Sequence, residues 1–468
     1  MMTIAIVAVF IVGYACIALE SGLKINKAAT ALLMCVACWV LYMTNCIPYV
    51  TQFHGIDFAP YAAAAADGSL LAQAQQFVSE HVLLEHLGDT CEIIVFLLGA
   101  MTIVEVVDQN GGFEFVRTRL RSTSKRALLW RIAFMTFFLS AILDTMTTSI
   151  VMVMVLRKLV ADHKDRMLYA SLVILAANAG GAFSPIGDVT TIMLWIAGNI
   201  STVGVMKELI IPSLVSMIVP ALLFQTKLHG TLSAVEAGGA ETHYDLSQRQ
   251  RTAVFWIGVG GLVFVPIFRF LTGLPPFMGI LLVLALLWTT TEIFYRSFSE
   301  TETTTGQRVS QLLARVDLST ILFFLGILMT VATLQEIGVL SSFGAWVDEA
   351  SSHNAYLVTG LIGVLSSVVD NVPLVAGCMG MYDIAPAAAA LADPSLANFV
   401  QDGIFWQLLA YCAGVGGSML IIGSAAGVVV MGLEKISFGW YLRHITWIAF
   451  IGYVAGIAAY WVIRTFLW

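Results

Sequence analysis

Lysine and arginine are absent from two long stretches of this 468-residue sequence, residues 51–116 and 316–434. Charged residues of both signs make up only 11% of the chain, whereas soluble domains have about 25%, and 59% of the residues are hydrophobic. This composition excludes a soluble globular protein. No basic patch with interleaved aromatic residues is present in the sequence, which excludes a nucleic-acid partner. The chain is therefore predicted to be an integral membrane protein, embedded in a lipid bilayer.

Several other signatures are missing as well. The first apolar run, residues 3–19, has no basic residues before it, so it is predicted to be a retained span with its N-terminus outside, not a cleaved signal peptide. Cys35 and Cys38 have zinc-ligand spacing but no second pair, and no disulfide framework follows. The stretch from His81 to His86 is one residue too long for the motif H-x-x-E-H and is predicted to begin a helix on the outer side. No cofactor is predicted.

A catalytic function is disfavoured by the same kind of absence. The sequence has no G-x-S-x-G motif with a partner histidine, no other paired nucleophile and base, and no set of zinc ligands. An intramembrane hydrolase is the enzymatic alternative, and these absences argue against it. The chain is predicted not to be an enzyme.

Apolar runs of the length needed to cross a bilayer, about 20 residues, recur along the chain. They cover residues 3–19, 28–48, 90–107, 205–225, 252–271, 275–295, 317–338 and 441–465. Because lysine and arginine accumulate in short cytoplasmic loops, the polar linkers 226–251 and 297–316 are predicted to be cytoplasmic. Residues 51–89 and 339–354 contain neither residue type and are predicted to be external.

One apolar stretch, residues 129–156, has basic residues at both ends. As a helix it would be about 42 Å long, too long for one span of about 30 Å and too short for two. Since both ends are then cytoplasmic, the stretch is predicted to be a re-entrant hairpin with a non-helical tip, Asp144 to Ser149, near the middle of the membrane. The next segment, residues 167–198, has two adjacent glycines and a proline in its middle, which predict two half-helices joined by unwound backbone.

Both features recur later in the sequence. LSAILDTMTT (139–148) aligns without gaps with LSSVVDNVPL (365–374), and the glycine spacing of the first broken segment, G-G-x5-G, recurs from residue 416. Residues 1–225 and 252–468 are therefore predicted to be two copies of one unit.

An odd number of spans in each copy inverts the second relative to the first. Its hairpin, residues 355–378, is then predicted to enter from outside; only the match to the first hairpin argues against one ordinary span here. Inverted repeats with broken helices are typical of secondary transporters. The predicted fold is an all-α polytopic membrane protein of this class, with two re-entrant hairpins and two broken helices.

Acidic residues at these breaks are the candidate binding groups. Ionisable groups at mid-membrane cost roughly 2.5–3.5 kcal/mol each by insertion scales, so they are functional candidates by default. Asp144 and Asp370 lie at the two predicted tips, and Asp188 lies at the first helix break. Carboxylates combined with amide and hydroxyl oxygens suit a small hard cation such as sodium. The other predicted ion ligands are Thr145, Asn178 and Asn371, and the predicted supporting residues are Ser140, Thr148, Ser184, Thr190, Thr191, Ser366, Ser418, Ser424 and Glu92.

The same carboxylates are predicted to bind protons, so that a cation and a proton compete for one site and are exchanged across the membrane. Three alternatives stay open. An aspartate at a helix break can simply cap a half-helix; Asp188, beside Pro-x-Gly, also fits turn chemistry; and hydroxyl residues are common at helix–helix contacts in membranes. The alternative function is sodium-coupled anion uptake on the same fold, in which the carboxylates bind only the coupling ion.

Four motifs in this order resemble those of the NhaD-type sodium/proton antiporters of the ion transporter superfamily: VFLLGAMTIVEVVD, LDTMTTSIVMV, ANAGGAFSPIGDVTTIMLW and SSVVDNVPLVA. The resemblance covers nearly the whole chain. It implies a prokaryotic inner-membrane protein that exchanges sodium or lithium for protons, as a homodimer with a scaffold domain and a moving transport domain. It also implies functional roles for Asp144, Asn178, Asp188, Thr190, Thr191, Ser366, Asp370 and Asn371.

One departure from the family pattern concerns the first tip. The family typically has Asp-Asn at both tips, whereas the first tip here is Asp144-Thr145. Threonine keeps one oxygen but loses the amide, which puts ion selectivity and coupling ratio in doubt. The dicarboxylate branch of the superfamily carries Ser-Asn-Thr at these tips, so the aspartates argue against that branch.

Overall fold

The computed structural model of the chain describes residues 2–18, 23–64, 69–113, 120, 122, 124–232, 246–296, 309–392 and 394–466. The middle of each predicted cytoplasmic linker, residues 233–245 and 297–308, lies outside the described residues. Within the described ranges the regular structure is helical, apart from one isolated bridge between Ser124 and Thr231. Eight of the described helices are long and apolar enough to cross a membrane.

The helices are numbered in chain order. They are α1 Met2–Ala18, α2 Lys27–Thr44, α3 Ile47–Phe53, α4 Gly55–Ala64, α5 Leu70–Phe77, α6 Leu83–Gln109, α7 Lys125–Leu143, α8 Thr145–Leu159, α9 His163–Ala182, α10 Val189–Ile196, α11 Thr202–Gln225, α12 Gln248–Thr272, α13 Pro276–Tyr295, α14 Val309–Leu312, α15 Leu318–Glu336, α16 Val339–Ala350, α17 Ala355–Ser366, α18 Asn371–Met381, α19 Ala387–Ala392, α20 Ile404–Gly416, α21 Ala425–Glu434, α22 Phe438–His444 and α23 Thr446–Phe466.

Every predicted span overlaps one of these helices over most of its length, and the prediction of an all-α polytopic membrane protein is confirmed. The third span differs most from its predicted bounds. A π-helical turn, Val78–Val82, joins α5 to α6, and the combined helix begins at Leu70, where the Ser69 side chain accepts a hydrogen bond from the backbone of Ala72. Helix α6 itself begins at Leu83, within the stretch from His81 to His86 that was predicted to begin a helix, but helical backbone already runs into it from α5.

The described chain forms two compact units. The first contains Met1–Val95, Asp317–His353 and Ala376–Asp383, and the second contains Phe96–Val316, Asn354–Val375 and Ile384–Trp468. In the first unit α2 packs between α1 and α15. In the second unit α9 packs on α7 and α8, α17 packs on α20, and α11 packs on α23. Each unit takes residues from both predicted copies, so the duplication 1–225 and 252–468 stays a prediction.

Two glycines at equivalent positions of the predicted copies allow the same close helix crossing. A Cβ added to Gly180 of α9 would lie 2.1 Å from the carbonyl oxygen of Phe137 of α7. A Cβ added to Gly416 of α20 would lie 2.2 Å from the carbonyl oxygen of Gly363 of α17. Since real Cβ atoms do not approach a carbonyl oxygen so closely, glycine is required at both crossings. These crossings hold each predicted hairpin against its neighbouring broken helix.

Candidate functional site

The first helix break lies at a single residue, Asp144. Its backbone has φ 99° and ψ 158°, a region that few residues other than glycine adopt, and α8 begins immediately at Thr145. Asp144 Oδ1 accepts a hydrogen bond from the backbone N–H of Thr147 at 2.9 Å, and Oδ2 accepts one from the Thr147 hydroxyl at 2.6 Å. The predicted non-helical tip reaching to Ser149 was wrong, because this cap restarts the helix at once.

The second break is longer. Helix α17 ends at Ser366 and α18 begins at Asn371, so the chain is non-helical from residue 367 to residue 370. Asp370 Oδ1 accepts a hydrogen bond from the backbone N–H of Val372 at 3.3 Å. Both tip aspartates thus lie at the start of a helix, where the exposed N–H groups and the helix dipole favour negative charge.

The first broken helix is interrupted as predicted, between α9 and α10. Asp188 is the N-cap of α10; its backbone N–H donates to Thr191 Oγ1 at 3.3 Å, and its carboxylate accepts a short hydrogen bond from the Thr190 hydroxyl. The second broken helix is interrupted between α20 and α21, where Ser424 accepts a hydrogen bond from the backbone of Gly427 at 3.2 Å. The capping alternative therefore describes one real role of Asp144 and Asp188.

Asp188 is the point where the two predicted hairpins meet the first broken helix. Thr145 Oγ1 donates a hydrogen bond to Asp188 Oδ1 at 3.1 Å, and Asn371 Nδ2 donates one to Asp188 Oδ2 at 3.2 Å. Only 4% of Asp188 is exposed. Asp188 interacts electrostatically with both Asp144 and Asp370. The three carboxylates therefore form one coupled group, with Asp188 at its centre.

Two of the predicted site residues have a buried oxygen that lacks a hydrogen-bond partner in the described part of the chain: Asn178 Oδ1 and Thr148 Oγ1. Asn178 Nδ2 is satisfied, because it donates to Ser424 Oγ at 3.2 Å. Buried polar atoms are nearly always hydrogen-bonded, so an unpartnered carbonyl oxygen needs an explanation. A hard cation, which is bound by oxygen atoms alone, fits the chemistry of an amide oxygen such as Asn178 Oδ1 and of carboxylates. The described residues contain no group of three His, Cys, Asp or Glu arranged as a resident metal centre.

Several predicted supporting residues donate hydrogen bonds to main-chain carbonyls. Their hydroxyls donate as follows: Ser140 to Ala177 at 2.7 Å, Ser366 to Ala413 at 2.7 Å, Ser184 to Ala141 at 2.5 Å, Ser418 to Val415 at 2.6 Å and Thr191 to Asp188 at 2.8 Å. The bonds of Ser140, Ser366 and Ser184 join two segments, as the helix-contact alternative requires, whereas those of Ser418 and Thr191 are local. These residues are buried and position backbone around the break points. Glu92 is half-buried on the part of α6 that belongs to the first unit and is described with that unit.

Thr147 is a site residue that was not predicted. It holds both carboxylate oxygens of Asp144 through its backbone and side chain. A signal existed, because Thr147 stands three residues after Asp144, the spacing at which an N-cap side chain meets the helix backbone. Thr147 was not predicted because the tip from Asp144 to Ser149 was expected to be non-helical, so no helix N-cap was expected there.

Comparison with known proteins identifies relatives along nearly the whole chain. Residues 14–401 match the model of the family CitMHS, described as citrate transporter. The chain is 44% identical to sodium/proton antiporter 1 of Arabidopsis thaliana, over 98% of this chain and 72% of that protein. It is 28% identical to the Na+/H+ antiporter NhaD of Vibrio cholerae, over 97% of this chain and 90% of that protein.

Among solved structures, the YdaH transporter of Alcanivorax borkumensis matches with a TM-score of 0.57 at 13% identity, over 94% of this chain and 99% of that chain, which shows a shared fold. All these relatives are transporters, in agreement with the prediction that the chain is not an enzyme. The chain belongs to the NhaD-type sodium/proton antiporters of the ion transporter superfamily, within the family that the CitMHS model describes.

Proposed function

We propose that this protein exchanges sodium or lithium for protons and that Asp188, with Asp144 and Asp370, binds both ions. The observation that carries the proposal is a pair of hydrogen bonds to the Asp188 carboxylate. Thr145, from the first half of the chain, donates to Oδ1, and Asn371, from the second half, donates to Oδ2. Relatives over most of the chain are named as sodium/proton antiporters.

Because a cation and a proton compete for the same carboxylates, the transport of one is coupled to the transport of the other. A buried carboxylate is expensive unless its charge is compensated, and either a cation or a proton compensates it. The cation would be bound by carboxylate oxygens and by Asn178 Oδ1, which has no donor in the described part of the chain. A site that changes its orientation only when loaded with one or the other ion exchanges them, and does not leak either.

The finer architecture belongs to the same proposal. The helix pairs α7–α8 and α17–α18 are the limbs of two re-entrant hairpins entering from opposite sides, and the chain is an inverted repeat with its N-terminus outside. Helices α7 and α8 pack against each other, as limbs of one hairpin must. Cysteines introduced at residues 122 and 162 should be labelled from the cytoplasm alone. Labelling from opposite sides would turn the first hairpin into a span and break the repeat.

Assembly and location are inferred from the resemblance. We infer a homodimer in the inner membrane of a prokaryote; relatives named as sodium/proton antiporters occur in Vibrio cholerae and in Arabidopsis thaliana. Cross-linking of the full chain in its native membrane tests the dimer.

Anion uptake coupled to sodium is the second candidate, and the description of the matching family model as citrate transporter favours it. The two candidates differ in what sodium does to pH. In everted vesicles that contain the protein, adding sodium or lithium should dequench an acid-trapped pH dye, because protons leave in exchange. Uptake of radiolabelled citrate or succinate that depends on sodium, without any cation-induced dequenching between pH 6 and pH 9, would replace the antiport proposal by the symport one.

A further inference from the structure

A second cluster of titratable side chains lies in the first unit. Glu336 is the last residue of α15, and its two carboxylate oxygens each meet one imidazole. His54 Nε2 lies 2.7 Å from Oε2, and His86 Nε2 lies 2.8 Å from Oε1. His54 follows α3 directly, and His86 lies on α6, so three separate elements are joined at one carboxylate. None of these residues belongs to the aspartate group of the second unit.

The carboxylate of this cluster is poorly solvated. The Glu336 side chain is 8% exposed, against 26% for His54 and 17% for His86. Glu336 also stands at a helix C-terminus, where the helix dipole opposes negative charge. The rings of Trp39 and Phe77 pack beside His86 and His54. A buried carboxylate in this setting depends on cationic partners, because an unpaired buried charge is strongly destabilising.

The titratable groups that surround the cluster are mostly acidic. Asp57 and Glu85 act electrostatically on His54, Asp89 acts on His86, and the neutral hydroxyl of Tyr42 lies within electrostatic reach of Glu336. Three of these four groups are acidic. With one imidazole charged, the central carboxylate is neutralised; with both neutral, it is left buried with hydrogen bonds but no counter-charge.

We propose that His54, His86 and Glu336 form a proton-binding site, separate from the aspartate group, that locks α3 and α6 onto the end of α15 and opens when its imidazoles lose their protons. On the predicted topology, residues 51–89 are external, so the site would respond to the pH outside the membrane. Its ligand is the proton itself, and its consequence is a pH-dependent arrangement of the first unit.

The direction of the pH effect follows from His54. Its hydrogen bond to Glu336 raises the pKa of the His54 imidazole above its ordinary value of 6.5. A group whose pKa is higher in the folded protein stabilises the fold fully below its ordinary value and loses this contribution as pH rises through the folded value. The contacts of His54 and His86 with Glu336 therefore stabilise the first unit in acid, and this contribution is lost in the neutral-to-alkaline range.

Thermal unfolding of the full chain in detergent, between pH 6 and pH 9, tests the lock without any transport measurement. We compare the wild type with H54Q/H86Q, because glutamine keeps an N–H donor for Glu336 but does not titrate. The wild-type unfolding temperature should fall with rising pH by about 1–2 °C more than that of the variant, since a given loss of stability shifts the unfolding temperature less in a longer chain. Equal pH dependence of the two proteins would overturn the proposal.

A matched control is available in the same unit. His353 also pairs with a carboxylate, that of Asp348, but its side chain is 61% exposed. His353→Gln should leave the pH dependence of unfolding unchanged. Should H54Q/H86Q fail to fold, Glu336→Gln and His54→Gln are each measured instead. A pH dependence like that of the wild type in both of them overturns the proposal equally.

A transport measurement adds the functional consequence, and this arm alone rests on the proposed antiport. The pH profile of sodium-induced dequenching should lose or shift its neutral-to-alkaline limb in H54Q/H86Q and not in His353→Gln. Absence of exchange in the wild type would contradict the proposed function, while the unfolding result would still decide the proton site. Superimposable pH profiles of wild type and H54Q/H86Q would show that the cluster has no role in exchange and refute this arm.

Discussion

In the first half of the chain Ser140 donates a hydrogen bond to the carbonyl of Ala177, and in the second half Ser366 donates the equivalent bond to the carbonyl of Ala413, both at 2.7 Å. The polar groups at the broken helices do not match in this way. Where the first half has Asp188, the glycine-aligned position of the second half has Ser424. The two halves therefore share the serine-to-carbonyl hydrogen bonds beside their helix breaks. Only the broken helix of the first half has a buried carboxylate, Asp188, at the aligned position.

The difference between Asp188 and Ser424 indicates that these two aligned positions have different roles. Asp188 and Ser424 are both N-caps, so capping alone does not require a carboxylate. Asp188 additionally collects donors from Thr145 and Asn371, whereas Ser424 accepts from Asn178 and from the backbone of Gly427. The first broken helix thus supplies the charge, and the second supplies a neutral partner that orients the Asn178 amide.

The largest effect is expected when the first region is made like the second. Asp188→Ser keeps a capping oxygen but removes the carboxylate that Thr145 and Asn371 bind. Hydrogen bonds to charged groups contribute about 1.5–3 kcal/mol each. The variant loses two of them, so sodium-induced dequenching should fall by at least roughly 10–150-fold, the equivalent of one such bond at 1.36 kcal/mol per decade. The control is Ser437→Ala, which removes the N-cap of α22 outside the site and should lower the unfolding temperature while exchange continues. Wild-type exchange in Asp188→Ser would remove this residue from the site.

The next largest effects concern the aspartates at the two breaks. Asn at position 144 keeps an oxygen that accepts the Thr147 N–H, so Asp144→Asn removes charge without removing the cap. Asp144→Asn and Asp370→Asn should each lose most exchange, and the double variant should be little worse, because the effects of residues that act as one binding unit are not additive. Dequenching across pH measures all three proteins.

Asp162→Asn provides the matched control for this series. Asp162 is also a helix N-cap aspartate, its Oδ2 accepting from the backbone of Asp165 at 2.9 Å, but it is exposed and lies outside the site. Exchange in this variant should equal that of the wild type. Near-wild-type exchange in Asp370→Asn at every pH would show that the second break does not share the site.

Local interruptions were predictable from the sequence because their causes are local. Glycine, proline and aspartate within apolar runs predicted both broken helices and both tips. The contact between Asn371 and Asp188 joins residues 183 positions apart, and that between His54 and Glu336 joins residues 282 apart. Such pairs depend on how helices pack, which hydrophobic patterning does not determine when a helix is apolar on every side. From the sequence alone, turn chemistry therefore stayed open as an alternative for Asp188, although the packed structure gives it donors from two distant segments.

The smallest effect is expected at the residue that follows each tip aspartate, where the two halves differ by Thr145 against Asn371. Both donate to Asp188, at 3.1 Å and 3.2 Å, so threonine already reproduces the hydrogen bond of the usual asparagine. Thr145→Asn keeps that donor and adds a carbonyl oxygen. Exchange should continue, with a change in apparent cation affinity or in sodium/lithium preference of about 2–12-fold, the equivalent of one neutral hydrogen bond of about 0.5–1.5 kcal/mol.

Thr145→Val separates the donor from the shape of the side chain. Valine keeps the branched form but cannot donate to Asp188, so the carboxylate loses one partner and exchange should fall further than in Thr145→Asn. Titrating sodium and lithium in the dequenching assay, at fixed pH, gives both apparent affinities for each variant. If Thr145→Asn were as inactive as Asp188→Ser while Thr145→Val behaved like the wild type, the bulk of the side chain, and not its hydrogen bond to Asp188, would be what the first tip requires. The two tips would then not be interchangeable versions of one ligand.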